Sequence, residues 1–145
     1  MNNAIKNTDS AALLADNPLL QKSIQALFSY KVVDPVLIDL REVSTITDEF
    51  LVVCTCQSEV QMKSVLNNIK KLLSVAGVKQ IRLDYSPGVK WAILVCEVMI
   101  LHIFEKNTRV FYSLERIWGD VPIISLTPEL HALETEEAED DREYI

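Results

Sequence analysis

The stretch KWAILVCEVMILHIFEK, residues 90–106, is apolar almost throughout, lacks glycine and proline, and contains one tryptophan, Trp91, and one histidine, His102. Strands in globular proteins average about 5–6 residues, so the stretch is too long for one strand. Its many valine, isoleucine and aromatic residues disfavour a helix. The sequence therefore predicts two strands that fold onto each other, and the position of the turn decides how they pair.

A two-residue turn at Cys96 and Glu97 would place Trp91 opposite His102. One face of the hairpin is then uniformly apolar and forms the predicted core face: Ala92, Leu94, Met99, Leu101 and Ile103. The other face combines aromatic and polar groups, as protein interfaces do: Trp91, Ile93, Val95, Val98, Ile100, His102 and Phe104. Cysteine and glutamate disfavour the positive φ of such a turn, and a longer turn would change the pairing.

Helices and strands alternate along the rest of the chain, which predicts an α/β fold of about five strands with helices packed on the sheet. One helix is predicted from Pro18, with Asn17 as its N-cap, to about residue 30. A second begins at Ser58, with Gln61 as its capping-box partner, and ends at Gly77. Apolar strands are predicted at residues 35–40, 50–56 and 78–83, the last two joined by a right-handed parallel crossover.

Three parts are expected along the chain: a flexible N-terminal extension (1–17), one domain (18–122) and a C-terminal extension (123–145). After residue 109 the domain is predicted to end in a helix with one apolar face: Val110, Phe111, Leu114, Ile117 and Trp118. Beyond Pro122 we predict coil. Its final residues, 134–145, form an acidic run of a kind that is most often a solvated tail and less often a docking segment for a basic partner.

Charge and cysteine usage narrow the classes of function. The whole chain carries a net charge of −7, and residues 134–145, with seven acidic residues and one arginine, account for −6 of it. The remaining body has no basic stripe, which disfavours DNA and favours a protein partner. An odd number of cysteines and the absence of a signal peptide indicate a cytoplasmic protein. No apolar run reaches the roughly 18–20 residues of a membrane span.

No set of side chains forms a recognisable catalytic or metal site. Cys54, Cys56 and Cys96 with His102 could be imagined as a zinc site, but CxxC pairs are absent and buried free cysteine is common. His102 has two interpretations, a structural histidine or an interface group, and no nucleophile can be assigned to it. Phosphate-binding motifs of the GxGxxG or GxxxxGK[ST] type are absent from the sequence. We expect neither an enzyme nor a metal or cofactor.

Two long stretches resemble a known family. LIDLREVSTITDEFLVVCTCQSEVQMKSVLNNI (residues 37–69), followed by Trp91 and by LHIFEKNTRVFYSLERIWGDVP (residues 101–122), closely resembles the ribosomal silencing factor family, also called the Iojap-related family. The resemblance spans roughly residues 18–122. The positions that match the family motif are Asp39, Asp48, Thr55, Ser58, Arg109, Tyr112, Glu115 and Trp118.

The resemblance implies a small mixed-sheet domain related to the nucleotidyltransferase fold, without catalysis. It implies binding to the large ribosomal subunit through ribosomal protein number fourteen, which blocks association with the small subunit and represses translation under nutrient limitation. It also implies homodimers in the free state. The implied partner-binding residues are Trp91, Ile93, Ile100, His102 and Phe104.

Two other functions remain open at the level of sequence. A nucleotide-transferring enzyme would need a Gly-Ser loop and paired aspartates for Mg²⁺, but Cys56 stands where the family has glycine and no Asp-x-Asp occurs. An interaction module with a non-ribosomal partner is the second alternative. The family hairpin is also altered at residues 95–98, which leaves the geometry of that turn open.

Overall fold

The computed structural model describes residues 12–42, 50–85, 88, 90–106, 108–109, 121 and 123–127. Residues 12–15 are helical and precede the longer elements. In chain order those are α1 (Pro18–Ser29), β1 (Val33–Asp39), β2 (Phe50–Cys56), α2 (Glu59–Val75), β3 (Arg82–Asp84), β4 (Trp91–Val95), β5 (Ile100–Glu105) and β6 (Ile123–Ser125). The predicted α/β class is confirmed, and the described part of the chain has six strands where about five were expected.

All six strands belong to one mixed sheet in the order β3-β4-β5-β2-β1-β6. The central pair β2 and β5 is parallel, and every other neighbouring pair is antiparallel. The crossover from β2 through α2 leads to β3, which runs in the direction of β2 but is separated from it by two strands, β5 and β4. The strand predicted at residues 78–83 is instead the short edge strand Arg82–Asp84, which pairs with β4.

The packed core extends beyond both expected domain boundaries. Leu14 is fully buried, although residues 1–17 were expected to be flexible. At the other end, the coil expected after Pro122 is wrong for residues 123–125, which form β6 and pair with β1. Ile124 and Leu126 are buried in the core as well. Three residues are too few to show an alternation of apolar and polar side chains in the sequence. The strand forms because it pairs with β1, which lies far away in the chain.

Ser58 caps α2 as predicted, whereas the side chain of Gln61 reaches the N–H of Gln57 and not that of Ser58, so only half of the predicted capping box forms. The hydroxyl of Ser58 accepts a hydrogen bond from the backbone N–H of Gln61 at 3.0 Å. The side chain of Gln61 accepts from the N–H of Gln57 and donates to the carbonyls of Tyr30 and Lys31, just beyond the end of α1. Gln61 therefore fixes the two helices relative to each other.

The side chain of Asn17 does not cap α1. Its amide Nδ2 instead donates to the carbonyl of Leu13 at 2.8 Å, so the predicted cap is wrong in its chemistry although Pro18 opens the helix as expected. No helix in the described residues is long and apolar enough to cross a membrane.

The sheet separates two apolar clusters. Helices α1 and α2 pack on one face, over residues such as Leu37, Val52 and Leu101. The opposite face has a second cluster: Val36, Ile38, Leu40, Leu51, Val53 and Phe104, with Trp91, Ile100, Val121 and Ile123 packed against it. The helix predicted after residue 109 lies outside the described residues. The second cluster is the one that carries the candidate site.

Candidate partner-binding surface

The connection between β4 and β5 is longer than the predicted two-residue turn. The backbone N–H of Cys96 donates to the carbonyl of Met99, which closes a four-residue turn. The register pairs Val95 with Ile100 and Trp91 with Phe104, so the predicted pairing of Trp91 with His102 is wrong. The tighter turn requires positive φ, which cysteine and glutamate disfavour, and neither Cys96 nor Glu97 adopts it here.

Because the register differs by an even number of residues, both predicted faces of the hairpin survive the correction. The predicted core face is buried on the helix side of the sheet: Ala92, Leu94, Met99, Leu101 and Ile103. Val98 is the exception on the other face, since it lies within the turn and packs against the helix-side core. The longer turn therefore removes Val98 from the candidate surface.

Trp91, His102 and Phe104 form an aromatic cluster on the face opposite the helices. The indole Nε1–H of Trp91 donates to Nδ1 of His102 at 2.9 Å, and their ring centroids are 5.7 Å apart. The indole also stacks on the ring of Phe104, with centroids 4.9 Å apart and an interplanar angle of 28°. A diagonal neighbour and a direct cross-strand neighbour thus hold the indole from two sides.

The residues of the aromatic cluster differ in solvent exposure: one is buried and the other two remain partly exposed. Phe104 is fully buried, so it supports the indole from below and cannot itself contact a partner. This corrects its expected role as a partner-binding residue. Trp91, Ile93, Ile100 and His102 are each half-buried and remain at the surface. The alternation of side chains along the strand correctly assigns Phe104 to the face opposite the helices. It does not predict that Phe104 is buried there by other side chains.

Burial of His102 keeps its imidazole neutral. Removal of the ring from water lowers its pKa from the ordinary 6.5 to about 4, because the charged form loses hydration. The neighbours across the two adjacent strands, Val53 and Ile93, are apolar. At neutral pH one of its two ring nitrogens is therefore unprotonated and can accept the hydrogen bond from Trp91.

The depressed pKa of His102 predicts a loss of stability in acid. Between pH 6.5 and about 4 the unfolded chain binds a proton at this residue that the folded protein does not, so stability rises with pH in this window and falls on acidification. From pH 7 to pH 4 the loss is about 3 kcal/mol of unfolding free energy from this one group. Urea unfolding at a series of pH values measures it.

The matched control for this pH series is His102→Asn, whose side-chain oxygen still accepts from Trp91 but does not titrate. Carboxylates titrate alike in both proteins, so the difference between the two curves isolates the histidine. Curves that stay parallel from pH 7 to pH 4 would contradict the lowered pKa.

The cysteines are placed as core residues. Cys54 and Cys56 lie on the helix side of the sheet, whereas His102 lies on the other side, so the imagined zinc ligands are not brought together. Burial raises the pKa of the Cys54 thiol far above its usual value and that of Cys56 to about 11. Both thiols are protonated at neutral pH and are poor nucleophiles. The described residues contain no group of three or more side chains suited to hold a metal ion.

Arg109 and Thr55, two positions of the family motif, meet beside the aromatic cluster. The guanidinium Nη1 of Arg109 donates to the hydroxyl of Thr55 at 3.0 Å and to the carbonyl of Asp34 at 2.7 Å. Thr55 is the direct parallel neighbour of Phe104. The arginine thus ties the chain after β5 to the ends of β1 and β2. No sequence pattern predicts these contacts, because the residues lie far apart in the chain.

The other motif positions within the described residues have structural partners. The carboxylate of Asp39 accepts from Nε and Nη2 of Arg41 at 3.0 and 2.9 Å, and the guanidinium lies 5.2 Å from the ring centroid of Phe50. Ser58 caps α2, as described above. The remaining motif positions lie outside the described residues: Asp48, Tyr112, Glu115 and Trp118.

Comparison with known families decides the classification. A family model described as ribosomal silencing factor during starvation matches residues 15–144. The chain belongs to the ribosomal silencing factor family. This confirms the resemblance carried by the two long sequence stretches, and it places the chain among regulatory factors.

Individual relatives agree with the family assignment. The chain is 29% identical over 113 residues to the ribosomal silencing factor RsfS of Halalkalibacterium halodurans, which covers 78% of this chain and 96% of the relative. It is 27% identical over 93 residues to RsfS of Bacillus subtilis, covering 64% of this chain and 78% of the relative.

Solved structures show the same fold. A crystal structure from Bacillus halodurans matches with a TM-score of 0.63 and 26% identity, over 75% of this chain and 98% of that one. A Chromobacterium violaceum protein matches with a TM-score of 0.64 and 23% identity, over 71% of this chain and 86% of that one. The second likeness concerns the fold alone.

Proposed function

We propose that this ribosomal silencing factor binds the large ribosomal subunit through ribosomal protein number fourteen, blocks association with the small subunit, and so represses translation under nutrient limitation. The observation that carries the proposal is the half-buried indole of Trp91, held by His102 and Phe104 on the sheet face opposite the helices. The family assignment supports a ribosomal target for that surface.

An indole held in this way has the properties of an interface anchor. Tryptophan is enriched among the few residues that dominate binding energy at protein interfaces. Here the hydrogen bond and the ring stack fix the side chain before any partner arrives, so little side-chain entropy is lost on binding. Ile93 and Ile100 lie on the same face and supply apolar area around the anchor.

Protein binding accounts for this surface better than catalysis does. The half-buried histidine is neutral and engaged by Trp91, and the buried thiols of Cys54 and Cys56 are protonated. We propose no enzymatic step, cofactor or metal for the chain, and we propose that it acts in the cytoplasm. The homodimer implied for the free protein stays a prediction, which sedimentation equilibrium of the protein alone would measure.

Reconstitution with purified subunits tests the proposal. The protein is mixed with large subunits, small subunits or both, and the mixtures are separated on sucrose gradients. We expect it to migrate with the large subunit, to be absent from the small subunit, and to lower the fraction of joined ribosomes. Crosslinking followed by mass spectrometry should identify protein number fourteen as the neighbour of β4 and β5.

A different outcome would favour the non-ribosomal alternative. If the protein stays at the top of the gradient with purified large subunits, yet captures one other protein reproducibly from a lysate, the surface serves another partner. Unchanged subunit joining despite tight binding would refute the blocking step alone.

A further inference from the structure

The hydrogen bond between Trp91 and His102 fixes where the imidazole carries its proton. An indole N–H is a donor only, so Nδ1 of His102, 2.9 Å away, has to be the acceptor and has no proton. Because burial also keeps the ring neutral, the single proton resides on Nε2. Trp91 thereby selects one of the two tautomers of His102.

The remaining nitrogen is a donor without a hydrogen-bond partner among the residues that the structure describes. None of the hydrogen bonds in the described part of the chain engages Nε2 of His102, and the side chain is half-buried at the surface. Its neighbours on the adjacent strands, Val53 and Ile93, have apolar side chains and offer no acceptor. Within the described part of the chain, this N–H therefore has its hydrogen-bonding capacity unused.

We propose that His102 recognises the docking partner by donating its Nε2–H to a carbonyl or carboxylate oxygen beside the Trp91 indole. This inference rests on the proposed function, since it assigns one contact within the same surface. A partner that covered this donor without supplying an acceptor would leave a buried N–H unsatisfied, which disfavours the complex. The contact therefore contributes to specificity as well as to affinity.

Trp91 acts on this contact through the histidine. Because His102 accepts on Nδ1, its Nε2 is a donor; with the opposite tautomer, Nε2 would be an acceptor and would suit a donor group on the partner. The pair thus determines whether Nε2 of His102 offers the partner a hydrogen-bond donor or an acceptor. The role of Trp91 here is positioning, in addition to any apolar contact of its own.

The first test reads the tautomer directly in the free protein. Long-range ¹H–¹⁵N correlation spectra at pH 7 distinguish a protonated from an unprotonated ring nitrogen, and the spectrum of His102→Asn identifies the signals of His102 against those of His131. We expect Nε2 protonated and Nδ1 unprotonated. A proton on Nδ1, or on both nitrogens, would overturn the inference without reference to any ribosome.

The second test uses two variants that each keep one half of the imidazole. His102→Asn retains an acceptor near the position of Nδ1, whereas His102→Gln retains a donor near the position of Nε2. Both are checked for folding by thermal melting. In co-sedimentation with large subunits we expect His102→Asn to weaken binding about tenfold, the usual size for one lost hydrogen bond, and His102→Gln to retain most of it.

The outcomes separate this contact from the proposed function. Undiminished binding by His102→Asn, or an equal loss in both variants, overturns the donor contact while the proposed function stands. If the wild-type protein itself fails to bind large subunits, the proposed function fails and this contact fails with it, whatever the tautomer.

Discussion

Replacement of Phe104 by alanine is expected to lower the free energy of unfolding by about 3–5 kcal/mol, the usual range for removal of a large aromatic side chain from a core. Phe104 is fully buried within the second apolar cluster, and its ring also supports the Trp91 indole at 4.9 Å. The truncation leaves a cavity and removes the stacking partner at once. Urea unfolding followed by circular dichroism measures the loss as a shift of the midpoint.

Two companion variants show whether burial is the cause. Phe104→Leu keeps most of the volume and is expected to lose less than the alanine variant. Ile93→Ala removes a half-buried side chain from the same face and is also expected to lose less. A midpoint for Phe104→Ala close to that of wild type would show that this ring is not core and would restore it as a candidate contact residue.

The elements that the sequence predicts well are those whose signals are local. The strand Phe50–Cys56 is a continuous β-rich run, and its observed bounds match the predicted ones. Helix α2 combines a capping serine, an apolar repeat and a terminal Gly77, which adopts positive φ as the end of a helix requires. Both segments carry enough information within one stretch of chain to specify their structure.

The elements that it predicts poorly depend on distant partners. Strands β3 and β6 have three residues each. They form because β3 pairs with the edge of β4 and β6 pairs with the edge of β1. The register of the hairpin depends on the length of its turn. A two-residue turn would require positive φ, which Cys96 and Glu97 disfavour, and a longer turn forms in its place. The backbone preference of these two residues indicated that the two-residue turn is unfavourable, but it did not predict that the observed turn has four residues.

The candidate site was predictable in composition and not in geometry. Alternation alone placed Trp91, His102 and Phe104 on one face, and the structure confirms that placement. The hydrogen bond between the first two depends on the corrected register, which makes them diagonal neighbours. The burial of Phe104 depends on packing against residues such as Ile38 and Val53, which no pattern within β5 reports.

Replacement of Trp91 by alanine should cost about 2 kcal/mol or more in binding to large subunits, roughly a 30-fold or larger loss of affinity, because the indole is the proposed anchor. Its effect on stability should be smaller than that of Phe104→Ala, since Trp91 is only half-buried. Gradient co-sedimentation across a range of protein concentrations gives the affinity, and thermal melting gives the stability of the same preparation.

Leu101→Ala is the matched core control for Trp91→Ala. Leu101 lies on the neighbouring strand but is fully buried on the helix side, so its truncation should lower the unfolding free energy by about 2–5 kcal/mol. Where Leu101→Ala remains folded, it should still bind, because its side chain faces away from the proposed surface. A Trp91→Ala protein that unfolds, or that folds and binds at full strength, would show that the aromatic cluster is not the surface that meets the ribosome.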